Sequence, residues 1–94
     1  MKLRQAKRNL TFLTSEVIDN CYYATYFHNE SEPEILEIIE QAVELYNTLM
    51  YDMNHPAEKH NPKLVRKHYA TIEQKMMSGV DELFEKISTI CKNK

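Results

Sequence analysis

The sequence predicts an all-α protein, an antiparallel up-down-up bundle of three long helices. Two proline-bearing interruptions, HNESEP at 28–33 and NHPAEKHNP at 54–62, divide the 94 residues into three segments. Apolar residues recur at steps of three and four in each segment, the spacing that gathers them on one helix face. One Gly and three Pro are too few for an all-β chain built on tight turns. The length fits a single domain, 1–94, and suffices for a core without metal or disulfide staples.

Helix 1 carries Leu3, Ala6, Leu10, Leu13, Val17, Ala24 and Phe27 in a heptad, with Asn20 at one core position. Helix propensity weakens at Thr11-Phe12-Leu13-Thr14 and through the aromatic run at 22–27. A strand at 21–27 is the competing reading, but no second strand-like segment exists to pair with it. Helix 2 is expected over 32–54. Ser31 with Glu34 matches a capping box, and Pro33 falls in the first turn, where a missing N–H costs nothing. Ile35, Ile39, Ala42, Tyr46, Leu49 and Met53 define its apolar face, widened by Ile38, Leu45 and Met50.

Helix 3 is expected over 62–91, with Asn61 as N-cap and Pro62 at N1. Its apolar phase runs through Val65, Tyr69, Ile72, Met76, Val80, Leu83, Ile87 and Ile90. Ser78-Gly79 interrupts the propensity, and a break there would give a four-helix bundle instead. Because the apolar phase survives the pair, one continuous helix is the prediction, with Gly79 letting another backbone approach closely. Short connections between long helices make the neighbours antiparallel. That topology brings the N-terminus beside the 54–62 connection.

Charge is segregated along the chain, although the net charge is only −2. Lys2, Arg4, Lys7 and Arg8 open the sequence, and Lys59, Lys63, Arg66 and Lys67 form a second basic cluster. The bundle would gather both at one end, with Arg4, Arg8, Lys63 and Arg66 as a candidate basic patch for phosphates or an acidic protein. The net charge argues against general nucleic-acid affinity, and no helix-turn-helix or RNA-binding signature is present. The acidic run from Glu30 to Glu44 would lie at the other end, facing the positive end of the helix 2 dipole.

The candidate interaction surface is Ile18, Tyr22 and Tyr26. On a helical wheel these lie at i, i+4, i+8 and fall away from the core direction set by Ala6, Leu13, Val17 and Ala24. Phe27 is placed beside that core direction and Tyr23 at its margin, while Phe12 borders the outer stripe. Tyrosines on such a stripe either lie on apolar neighbours with their hydroxyls in water or meet a partner. Self-association is the simplest form of the second case. A base-stacking platform fits less well, because this end of the chain is acidic.

Other constellations carry less. His55, Glu58, His60 and His68 have metal-ligating chemistry, but no HExxH or nearby cysteine accompanies them, and no metal or cofactor is expected. His60 beside Lys63 lacks the context of a phosphotransfer histidine. Glu37, Glu40 and Glu44 read as a solvated helix face rather than paired catalytic carboxylates. No phosphate-binding Gly loop or nucleophile elbow occurs, so no enzyme is expected. Cys21 and Cys91 form no framework and read as reduced thiols in a cytoplasmic protein. Neither a signal peptide nor a membrane span is expected. The expected role is a protein–protein interaction or scaffold module that self-associates through the outer face of helix 1. The alternative is a nucleic-acid-associated protein that uses the basic end.

Overall fold

The computed structural model describes residues 3–55 and 60–92. Helix α1 spans Leu3–Phe27, a 3₁₀ turn covers Asn29–Ser31, α2 spans Glu32–Asn54 and α3 spans Pro62–Lys92. No strand occurs among the described residues. The 31 residues of α3 account for ~46 Å at 1.5 Å per residue, and the Cα trace extends over 51 × 18 × 16 Å. It is therefore a rod one bundle wide, with α3 along its full length.

Two apolar clusters fix the topology. The lower one joins Ala6 and Leu10 of α1, Leu49 and Met53 of α2, and Ile72 and Met76 of α3. The upper one joins Val17, Cys21 and Ala24 with Ile35, Ile38 and Ala42 and with Val80, Leu83 and Ile87. The start of α1 thus meets the end of α2 and the first half of α3, as an up-down-up bundle requires. Leu13 and Leu45 pack against both clusters and make one continuous core.

The core of α1 differs from the heptad reading at several positions. Asn20 is exposed, and its side-chain amide donates to the Glu16 carbonyl at 2.7 Å. Cys21 and Thr14 are buried instead. A strict 3.5-residue repeat drifts by ~20° per heptad on a straight 3.6-residue helix, which moves the buried line onto these two. Thr14 tolerates burial because its hydroxyl donates to the Leu10 carbonyl at 2.8 Å. Leu3 and Phe27, at the two ends, are exposed.

The helix starts divide the same way. At α3, Asn61 Oδ1 accepts from the backbone N–H groups of Lys63 and Leu64 at 3.1 and 3.2 Å, as its N-cap position predicts. At α2, the Ser31 side chain makes no capping bond. The 3₁₀ turn supplants the capping box: Ser31 N–H donates to the His28 carbonyl at 2.9 Å, and Glu32 N–H donates to Asn29. Glu32 and Glu34 still place two carboxylates in the first turn, at the positive end of the helix dipole.

α3 runs unbroken through Ser78-Gly79, so the described residues form three α-helices and not four. Gly79 admits a side chain rather than a backbone: a Cβ added there would lie 3.0 Å from both terminal methyls of Leu45 on α2. At the far end, α3 closes α2. His68 Nε2–H donates to the Asp52 carbonyl at 2.6 Å and the Tyr69 hydroxyl to the Met53 carbonyl at 3.1 Å. These carbonyls lie in the last turn of α2, where a helix runs out of its own N–H partners; the Asp52 carbonyl also accepts a longer 3.3 Å bond from the His55 backbone N–H.

Candidate functional site

Helix α1 buries one stripe and turns the opposite one to solvent. Its last two turns carry four exposed rings: Tyr22 at 64%, Tyr23 at 69%, Tyr26 at 82% and Phe27 at 59% of full exposure. The rings are organised among themselves. Phe27 lies 5.2 Å from Tyr23 and 5.0 Å, nearly edge-on, from Tyr26. Pairs at these separations favour one another by about 0.5–1.5 kcal/mol. Together with Asp19 they line an open hollow of about 390 Å³. Aromatic faces beside one carboxylate suit a cation.

Of the expected surface residues, Tyr22 and Tyr26 stand on this face and Ile18 does not. Ile18 is half-buried and packs against the upper core cluster. The reason lies in α1 itself: at 100° per residue Ile18 lies about 40° from Thr14 and about 60° from Cys21, both buried, so it borders the buried stripe and the core cluster covers it in part. Tyr23 and Phe27 join the face instead. Their mutual ring contact was hidden in the sequence by the assignment of Phe27 to the core. Phe12 is exposed about three to four turns earlier on the same side of α1.

The basic residues assemble as the topology requires. Arg4 and Arg8 start α1, Lys63 and Arg66 start α3, and all four are exposed at the same end of the rod. Among the described residues the ion pair given by the structure is Lys86 with Glu82, at 3.6 Å within α3. Lys2 and Lys59, also counted in the basic clusters, lie outside the described residues, as does Glu58.

His55 and His68 have local roles, and His60 is exposed. His55 donates Nδ1–H to the Tyr51 carbonyl at 2.8 Å, and its ring stacks on Tyr51 at 4.0 Å. His68 is committed to Asp52. No group of three metal-ligating side chains occurs among the described residues. Glu37, Glu40 and Glu44 are exposed, and Glu37 accepts a long 3.5 Å bond from Gln41. Glu34 and Glu37 line an open groove of about 520 Å³ with Lys86, whose ammonium is held by Gln41 and Glu82. Among the described residues no helix is long and apolar enough to cross a membrane.

The two thiols are free and differ in setting: Cys21 is buried and Cys91 exposed. Burial pushes the Cys21 thiol up from 9.0 to about 11. Ellman's reagent at pH 8 is therefore expected to titrate one thiol in the native chain and two in urea; rapid reaction of both in the native state would contradict the packing. The sign of the linked stability follows. Because folding raises this pKa, the contribution of Cys21 is full below pH 9 and is lost as pH rises through about 11. A Cys21→Ala variant lacks that component of alkaline destabilisation.

Comparison with protein-family models, with curated proteins and with solved structures finds no match to this chain.

Proposed function

We propose that this chain is a protein–protein interaction or scaffold module that associates with its own copies through the outer face of α1. The observation that carries this reading is the cluster of Tyr22, Tyr23, Tyr26 and Phe27, four rings exposed together on a helix whose other face is fully engaged. Tyrosine is enriched at interface centres, where the ring buries apolar area and the hydroxyl keeps a polar partner. The role is binding rather than catalysis, and free thiols fit a reducing, cytoplasmic setting.

Tyr22→Glu with Tyr26→Glu is expected to weaken self-association by about tenfold or more, read by sedimentation velocity over a concentration series. Both side chains are exposed, so the fold should survive the change. Association that ignores both substitutions would sink the proposal. A second reading rests on the convergence of Arg4, Arg8, Lys63 and Arg66: contact with nucleic acid at the basic end. It requires binding at low salt that falls steeply as salt is added and on charge reversal at these four positions. No binding to duplex or single-stranded nucleic acid at low salt would remove it.

A further inference from the structure

We infer that two copies pair α1 against α1 in antiparallel register, with Arg8 of each copy seated at the Asp19–Tyr22 edge of the other's aromatic hollow and Arg4 against Tyr26. The inference rests on the self-association reading above and adds its geometry and its chemistry.

The outer stripe of α1 is polar-cationic at one end and aromatic-acidic at the other. At 100° per residue, Arg4, Arg8, Ser15, Tyr22 and Tyr26 all lie within about 20° of one line. Ser15 is exposed and small, and it stands midway. Residues 4 and 26 are equidistant from it, as are 8 and 22. A two-fold axis at Ser15 therefore sets Arg4 opposite Tyr26 and Arg8 opposite Tyr22, and it does so twice. Asp19 lies one turn from Tyr22 on the side toward which Arg8 leans. Asp19, Tyr22, Tyr23, Tyr26 and Phe27 line the hollow, a carboxylate beside aromatic faces. A guanidinium suits both parts, stacking on rings while it pairs with the acid. Arg4, Arg8 and Asp19 have no ion-pair partner among the described residues.

Parallel pairing would instead set Arg4 and Arg8 against their own copies and leave both hollows without a cation. Antiparallel pairing also lays the basic end of each rod beside the acidic start of the other's α2, where Glu32 and Glu34 stand. Charge complementarity thus selects both the partner, a second copy, and its direction. The contact is isologous and closes on itself.

The test uses the full chain with Cys91→Ser and a spin label at Gln5→Cys, an exposed site beside the stripe; Cys21 is buried and escapes labelling. Antiparallel pairing places the two labels about 30 Å apart along the axis, from twenty residues at 1.5 Å each. Parallel pairing brings them within about 10–20 Å, the interhelix spacing plus linkers. The long distance is the expected result. A dimer in sedimentation with the short distance overturns the register and leaves self-association standing; a monomer at every concentration removes both. Charge exchange tests the contact itself. Arg8→Asp is expected to weaken the dimer by about tenfold, and Arg8→Asp with Asp19→Arg to restore it. A double variant as weak as the single one overturns the Arg8–Asp19 assignment.

Discussion

Leu49→Ala is expected to lower the unfolding free energy by about 2–5 kcal/mol. Leu49 is 1% exposed and sits where all three helices meet, against residues such as Leu10, Met53 and Met76. Removing three carbons there forfeits their transfer energy and opens a cavity, because the flanking residues are held by three separate backbones. A domain of this size has a stability of about 5–15 kcal/mol, so the loss takes a large share of the margin. Urea unfolding measures it directly. The paired control is Val43→Ala on the same helix: Val43 is 44% exposed and outside both clusters, so a change within about 0.5 kcal/mol is expected. Equal losses at the two sites would contradict the placement of the core.

Gly79→Leu is expected to destabilise by about 1–3 kcal/mol. Even a Cβ at this position would meet both Leu45 methyls at 3.0 Å, and the longer side chain drives a wedge between α2 and α3. Gly79→Ala separates the terms. Alanine gains about 1 kcal/mol of helix propensity over glycine, set against crowding that a half-buried leucine relieves by shifting a few tenths of an ångström. A near-neutral alanine variant beside a strongly destabilised leucine variant is the signature of a steric contact. Two stabilised variants would mean that α2 and α3 are not in contact at this level.

The contrast between Gly79 and Pro62 shows what the sequence carries. Pro62 and Asn61 act on their own backbone, so the start of α3 is readable from four residues. The unbroken course of α3 is also readable, because its apolar phase crosses Ser78-Gly79 without a slip. What packs onto Gly79 is a fact about α2, and no local pattern contains it. The capping box at Ser31 fails for a related reason: the preceding 3₁₀ turn supplies carbonyls and a hydrogen-bond pattern that the S-x-x-E spacing does not encode.

The candidate face divides along the same line. Tyr22 and Tyr26 point away from the core whatever the arrangement of the other helices, so their exposure is legible from one helix alone. Ile18 and Phe27 lie on opposite flanks of α1, where burial depends on which side α2 and α3 take. The bundle covers Ile18 and leaves Phe27 with the tyrosines. The heptad also placed Asn20 in the core where the 3.6-residue turn places Cys21. The resulting surface loses Ile18 and gains the rings of Tyr23 and Phe27.

The most direct test of a self-associating module is the mass of the unmodified chain in solution. Sedimentation equilibrium over a wide concentration range should show the average mass climbing from 11.2 kDa toward twice that value, with Tyr22→Glu/Tyr26→Glu held at the monomer end. A chain that stays at 11.2 kDa at every concentration would contradict the account.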